Sequence, residues 1–154
     1  MKDKINILYI DDEISNLTAF KASFRRDYNI FISETIEEAL EILNGNEIQV
    51  ILTDQRMPEM TGVEFLQSII TDHPEPIRIL VTGYSDIQAV IDAINKGQVY
   101  KYVSKPWEKD YLKIVIDKAS EVYGLRRENK ELTKSLLKAN QQLEFMLRQK
   151  LTVE

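Results

Sequence analysis

Three short runs in this chain are apolar at nearly every position, rather than at every second one. They cover residues 5–10, 50–53 and 77–81. A strand exposed on one face alternates apolar and polar residues, so continuous runs predict strands that are covered on both faces. Two weaker runs at 28–33 and 100–104 bring the predicted number of strands to five.

A stretch with helical periodicity follows each of the five strands. Thr35, Thr61 and Ser85 begin capping-box patterns, and Gly45 and Gly97 stand where a helix end favours a left-handed residue. The apolar residues recur every three or four positions and predict five amphipathic helices. They are Leu17, Phe20, Phe24; Ile36, Ala39, Leu40, Leu43; Val63, Leu66, Ile69, Ile70; Ile87, Val90, Ile91, Ile94; and Leu112, Val115, Ile116, Ala119.

Five strand–helix pairs in succession predict an α/β fold. Short right-handed crossovers place such strands in a parallel sheet with helices on both faces. We expect the flavodoxin-like, doubly wound, five-stranded parallel sheet with strand order 2-1-3-4-5. In this order the first and third strands are neighbours at the switch point, and ligands bind beyond the carboxyl ends of the strands.

Polar side chains stand where the predicted strands end. Asp11 and Asp12 follow the first strand, Asp54 ends the third, Thr82 ends the fourth and Lys105 ends the fifth. Carboxylates that converge at one edge repel each other unless a cation lies among them, and Mg²⁺ prefers oxygen ligands. A lysine ammonium and a threonine hydroxyl suit phosphoryl oxygens, so Asp54 is a candidate nucleophile for an aspartyl phosphate.

Four segments together form a specific pattern: LYIDDE at 8–13, LTDQRMPEMTG at 52–62, VTG at 81–83 and YVSKPW at 102–107. Through them the chain resembles, over about residues 4–120, the CheY-like receiver domain of two-component response regulators. The resemblance implies a signalling domain, not a turnover enzyme. Its partner would be a sensor histidine kinase or a phosphotransfer protein.

The resemblance also implies a Mg²⁺ site. Asp54 would be the phosphoacceptor and a metal ligand, Asp12 a direct ligand and Asp11 a ligand through a water molecule. The backbone carbonyl of Arg56 would be a further protein ligand. The phosphoryl group would pass in line from a phosphohistidine, or from a small phosphodonor, onto Asp54.

A switch is the third implication of the resemblance. Thr82 and Lys105 would bind the phosphoryl oxygens, and Tyr102 would rotate inward and re-form the surface of helix 4, strand 5 and helix 5. The residues alone leave Tyr102 open between switching and packing. By resemblance the peptide bond before Pro106 is expected to be cis, and a trans proline ahead of a helix is the alternative.

The tail carries a heptad pattern instead of a strand pattern. Its a positions are Val122, Asn129, Leu136, Leu143 and Lys150, and its d positions are Leu125, Leu132, Ala139, Met146 and Val153. We therefore expect a receiver domain at 1–121 and a coiled-coil helix at 122–154 that continues helix 5 and forms a homodimer. The dimer seam would comprise Leu125, Asn129, Leu132, Leu136 and Leu143. The alternative is a single amphipathic helix, and the tail either leads to an output domain beyond Glu154 or is itself the output.

Charge and composition restrict the partners and the location. The formal charge is −5, with about −8 on residues 1–121 and about +3 on 122–154. The acidic balance argues against direct nucleic-acid binding, and Arg126 and Arg127 are too few for the basic region of a DNA-binding zipper. No apolar run approaches the roughly 20 residues that span a bilayer. With no cysteine in the sequence, we expect a cytoplasmic protein without membrane contact.

Two other functions fit parts of this pattern. A phosphohydrolase of the haloacid-dehalogenase type also forms an aspartyl phosphate on a doubly wound sheet, but it requires a second aspartate where Arg56 stands. A flavodoxin-like electron carrier requires a hydroxyl-rich phosphate loop after the first strand. There Asp11, Asp12 and Glu13 would repel the phosphate.

Overall fold

Five parallel strands form the central sheet of the computed structural model, which describes residues 3–83, 87–96 and 98–152. The strands are β1 (Asn6–Ile10), β2 (Asn29–Ser33), β3 (Val50–Asp54), β4 (Ile77–Thr82) and β5 (Lys101–Ser104). They pair in the order β2-β1-β3-β4-β5, and every pairing is parallel. The predicted flavodoxin-like sheet and its strand order are confirmed.

One helix follows each strand, and two apolar clusters form the core. The helices are α1 (Ile14–Phe24), α2 (Ile36–Gly45), α3 (Gly62–Ser68), α4 (Ile87–Asn95) and α5 (Lys109–Thr152). One cluster contains residues of α1 and α5, and the other contains residues of α2, α3 and α4. Along β1, Tyr9 belongs to the first cluster and Leu8 to the second. Because successive side chains point to opposite faces, a strand covered on both sides must be apolar throughout.

The structure confirms some of the helix ends that the sequence predicts. Thr35 caps α2 through its side chain, and Thr61 forms a complete capping box at the start of α3. The prediction for Gly45 is wrong: this last residue of α2 lies outside the left-handed region, and the extended residue Asn46 caps the helix. The Asn46 side-chain amide donates to the Ile42 carbonyl (3.0 Å), which satisfies the helix end without a left-handed residue. Ser85 and Gly97 lie outside the described residues.

On α4 the predicted apolar stripe is wider than the face that the protein buries. Val90 is fully buried, whereas Ile87 and Ile91 are each 40% exposed. A helix that packs on a sheet buries only a narrow stripe, so the flanking isoleucines remain partly in solvent.

Contacts between residues divide the chain into two units, 1–123 and 124–154. The second unit is helical up to Thr152, and its described side chains are all exposed. Among the described residues, no helix is both long and apolar enough to cross a membrane.

Candidate functional site

The carboxyl edge of the sheet brings the predicted acidic residues together. Asp11 follows β1 and is fully buried, Asp54 is the last residue of β3 and is nearly buried, and Asp12 is exposed. One carboxylate oxygen from each of the three lies within 4.8 Å of the others. This edge is therefore a concentrated cluster of negative charge that could hold a divalent cation.

Lys105, which follows β5, reaches into this cluster. Its Nζ atom lies 3.0 Å from Asp54 Oδ1 and 3.3 Å from Asp11 Oδ2. Burial raises the pKa of Asp54 above its usual value, although Lys105 acts to lower it. Burial acts to lower the pKa of Lys105, but the adjacent Asp54 and Asp11 carboxylates outweigh it and raise that pKa. One ammonium is thus paired with two of the three carboxylates of the cluster.

Two residues that the sequence pattern does not identify complete the surroundings of Asp11. Tyr9 donates its hydroxyl to Asp11 Oδ2 (3.3 Å), and Asn16 donates its side-chain amide to the same oxygen (3.1 Å). The other oxygen, Oδ1, accepts the backbone N–H of Glu13 (3.0 Å). The Asp11 carboxylate is therefore held by several donors before any ligand arrives.

The loop between β3 and α3 contains Arg56 and is closed by two hydrogen bonds to Gln55. The Gln55 carbonyl accepts the N–H of Gly62, and its side-chain oxygen accepts the N–H of Val63, both at 3.0 Å. Gln55 is buried, whereas the Arg56 side chain is exposed. Gln55 was also not selected from the sequence, where nothing separates it from a surface glutamine.

Gly62 touches the backbone of the candidate phosphoacceptor. A Cβ atom at this position would collide with the Asp54 carbonyl oxygen and would lie 2.8 Å from Leu80 Cδ1. We expect Gly62→Ala to lower the free energy of unfolding by about 1–3 kcal/mol, the usual cost of overpacking. Urea titration measures this loss. Gly45→Ala is the control, because a Cβ atom there meets nothing within 4 Å. An equal loss in both variants would contradict the steric explanation.

Thr82 and Tyr102 lie on neighbouring strands and differ in exposure. Thr82 is buried and donates its hydroxyl to the Gly83 carbonyl (3.1 Å), and its own carbonyl accepts the N–H of Lys105 (2.9 Å). Tyr102 is 36% exposed and lines an open groove of about 620 Å³ beside Trp107. The Lys105–Pro106 peptide bond is cis.

The residues of the predicted dimer seam lie on α5. Four leucines of this seam are 55–66% exposed, and Asn129 is also exposed. The leucines are Leu125, Leu132, Leu136 and Leu143. Their apolar surface is unusually large for side chains left in water.

A sequence model of the family described as the response regulator receiver domain matches residues 7–117. The chain belongs to this family. Among its relatives, this receiver domain is similar to the hydrogenase transcriptional regulatory protein HoxA from Cupriavidus necator. The two are 35% identical over 127 residues, which are 82% of this chain and 26% of HoxA. The chain spans about a quarter of the length of the curated relatives that it matches first.

Solved receiver structures agree with the fold. A response regulator receiver domain protein from Clostridium thermocellum is 31% identical, with a TM-score of 0.73, over 79% of this chain and 98% of that chain. The response regulator TrrA from Thermotoga maritima, in complex with Mg²⁺ and BeF, is 27% identical. Its TM-score is 0.66, over 75% of this chain and 98% of that chain. Receiver domains of response regulators are signalling domains, and this chain is one of them.

Proposed function

We propose that Asp54 of this receiver domain accepts a phosphoryl group from the phosphohistidine of a sensor histidine kinase or a phosphotransfer protein in the cytoplasm. The observation that carries the proposal is the position of Lys105, whose Nζ atom bridges Asp54 (3.0 Å) and Asp11 (3.3 Å). A nucleophilic carboxylate beside a fixed ammonium and further acids is what phosphoryl transfer requires. Family membership supports the same function.

The transfer is an in-line displacement. An oxygen of the Asp54 carboxylate forms a bond to phosphorus while the phosphorus–nitrogen bond breaks, and the imidazole of the donor leaves with the bonding pair. The Lys105 ammonium neutralises charge on the phosphoryl oxygens from its position beside Asp54. The Thr82 hydroxyl turns from the Gly83 carbonyl to donate to a phosphoryl oxygen.

The residues present fit Mg²⁺. The clustered oxygens of Asp11, Asp12 and Asp54 are hard ligands of the kind that this ion prefers. In the proposal these three residues and the backbone carbonyl of Arg56 hold the ion. Bound Mg²⁺ supplies charge neutralisation for the carboxylates and for the incoming phosphoryl oxygens. TrrA, a solved relative, is in complex with Mg²⁺ and BeF, which supports this assignment.

Phosphorylation changes a surface in this proposal. The movement of Thr82 at the end of β4 gives Tyr102 on β5 room to rotate inward from its exposed position. The surface formed by α4, β5 and the first part of α5 then differs between two states, and the phosphoryl group shifts their populations.

The second part of the proposal is a homodimer formed through residues 122–154. The exposed leucines of the predicted seam support it, because a parallel coiled coil would bury them. Leu137, Phe145, Leu147 and Leu151 are exposed outside that seam. The apolar surface is therefore broader than a strict two-stranded seam requires, and a measurement of oligomeric state must separate a dimer from larger assemblies.

Acetyl phosphate and intact-mass spectrometry test the phosphoacceptor proposal. We expect the wild-type chain to gain the mass of one phosphoryl group when Mg²⁺ is present and to gain none in excess EDTA. The reason is that the acid cluster repels an incoming anion until a divalent cation balances its charge. No mass gain with Mg²⁺ would overturn the proposal, and equal gain in EDTA would overturn the metal assignment.

A further inference from the structure

We propose that Tyr9 is a positioning residue, whose buried hydroxyl holds the Asp11 carboxylate in the orientation that divalent-ion binding requires. The inference rests on the proposed function of the acid cluster.

Packing explains the ring of Tyr9 but not its hydroxyl. Tyr9 lies in β1 with 0% of its surface exposed, and its ring centroid is 4.6 Å from that of Phe20. A phenylalanine would fill the same space. The hydroxyl leaves the apolar cluster and donates to Asp11 Oδ2 at 3.3 Å, so the two residues join the core to the acidic edge.

Asp11 depends on the protein for its hydrogen bonds, because it too has 0% exposure. Its Oδ2 atom accepts from Lys105, Asn16 and Tyr9. In the proposed function the Lys105 ammonium also neutralises charge on the phosphoryl oxygens, whereas Tyr9 and Asn16 take no part in phosphoryl binding.

Tyr9 is the more rigid of these two donors. Asn16 lies on α1 with a partly exposed side chain, whereas the ring of Tyr9 is enclosed in the core. A tyrosine hydroxyl is protonated at neutral pH, because its ordinary pKa is about 10, so it remains a donor.

The test is Tyr9→Phe, which removes only the hydroxyl. We expect the Mg²⁺ concentration for half-maximal phosphoryl uptake from acetyl phosphate to rise about tenfold, with a smaller effect on the rate at saturating Mg²⁺. This is the lower end of the loss of metal affinity that follows when a group hydrogen-bonded to a metal ligand is removed. We expect the lower end because the distance from the Tyr9 hydroxyl to Asp11 Oδ2 is long and because Asn16 still donates to the same oxygen. Asn16→Ala should shift the Mg²⁺ midpoint in the same direction.

Tyr28→Phe is the matched control. Tyr28 is also buried, and its hydroxyl donates to a carboxylate, Asp117 Oδ1 (2.6 Å), which is not part of the acid cluster. We expect Tyr28→Phe to keep the wild-type Mg²⁺ midpoint. The unfolding temperature of each variant in EDTA, where no metal is bound, measures how much the hydroxyl contributes to the stability of the fold.

Titration calorimetry with Mg²⁺ alone, without a phosphodonor, separates this inference from the proposed function. Weaker Mg²⁺ binding by Tyr9→Phe, but not by Tyr28→Phe, supports the inference even if the wild-type chain takes up no phosphoryl group. An unchanged Mg²⁺ affinity in Tyr9→Phe overturns it, whether or not the unfolding temperature falls. Wild-type binding of Mg²⁺ without phosphoryl uptake overturns only the phosphoacceptor role of Asp54.

Discussion

We expect the Asp54→Asn variant to gain no phosphoryl group from acetyl phosphate at Mg²⁺ concentrations that load the wild-type chain. An amide oxygen carries no charge and is a far weaker nucleophile than a carboxylate oxygen. Of the acids in the cluster, Asp54 has the shortest contact with Lys105 (3.0 Å). Intact-mass spectrometry should therefore show complete loss of uptake, not a slower reaction.

The fold of Asp54→Asn should survive. The pKa of Asp54 is raised in the folded chain, mainly by burial. When the pKa of an acid is higher in the folded state than in the unfolded state, the acid stabilises the fold at pH values below its unfolded pKa. This stabilisation is lost as the pH rises through the folded pKa. Ionised Asp54 is thus unfavourable at neutral pH. In EDTA at pH 7 the variant should unfold at a temperature equal to or above that of the wild type.

Asp117→Asn is the control for this prediction. Asp117 is also paired with a lysine, since Lys113 Nζ lies 2.9 Å from its Oδ2 atom, but it lies outside the acid cluster. We expect this variant to take up one phosphoryl group. Equal uptake by Asp54→Asn and the wild type would place the acceptor on another residue.

The sequence predicted the fold and the placement of the acids for a physical reason. Parallel strands end at one edge, so residues that end or follow strands far apart in the chain must meet there. Lys105 lies within hydrogen-bond distance of both Asp54 and Asp11, although it follows Asp11 by 94 residues. No side-chain detail was needed for this prediction.

The supporting contacts were not predicted, because they depend on side-chain direction. In the sequence, Tyr9 is one residue of the apolar run that predicts the first strand, and nothing in that run gives its hydroxyl a role. It precedes Asp11 by two positions, and such residues lie on the same face of a strand, which is a signal that could have identified the pair. Gln55 offered no such signal, since its role follows from the path of the loop that returns to Gly62 and Val63.

In the tail, substitutions at two adjacent leucines can distinguish a coiled coil from a single amphipathic helix. Leu136 occupies an a position of the predicted heptad and Leu137 a b position, yet both are exposed, at 63% and 57%. We expect the wild-type chain to be a dimer at micromolar concentration without phosphate. Leu136→Lys should be a monomer, because it removes two buried side chains from the dimer and places like charges across the seam. Losing about 1.5–3 kcal/mol per leucine weakens dimerisation by roughly two to four orders of magnitude.

Analytical ultracentrifugation of Leu136→Lys and Leu137→Lys measures the difference directly. Leu137→Lys introduces the same charge one residue away, at a b position outside the seam. If the dimer forms through a two-stranded seam, this variant should remain a dimer. Asn129→Leu should strengthen the assembly and loosen its preference for two strands, since a paired asparagine at an a position selects the dimer at a cost in stability. Equal dissociation of both lysine variants would point to the broader surface that includes Phe145 and Leu147. A monomeric wild type would establish the single amphipathic helix, because the seam leucines would then have no partner to bury them.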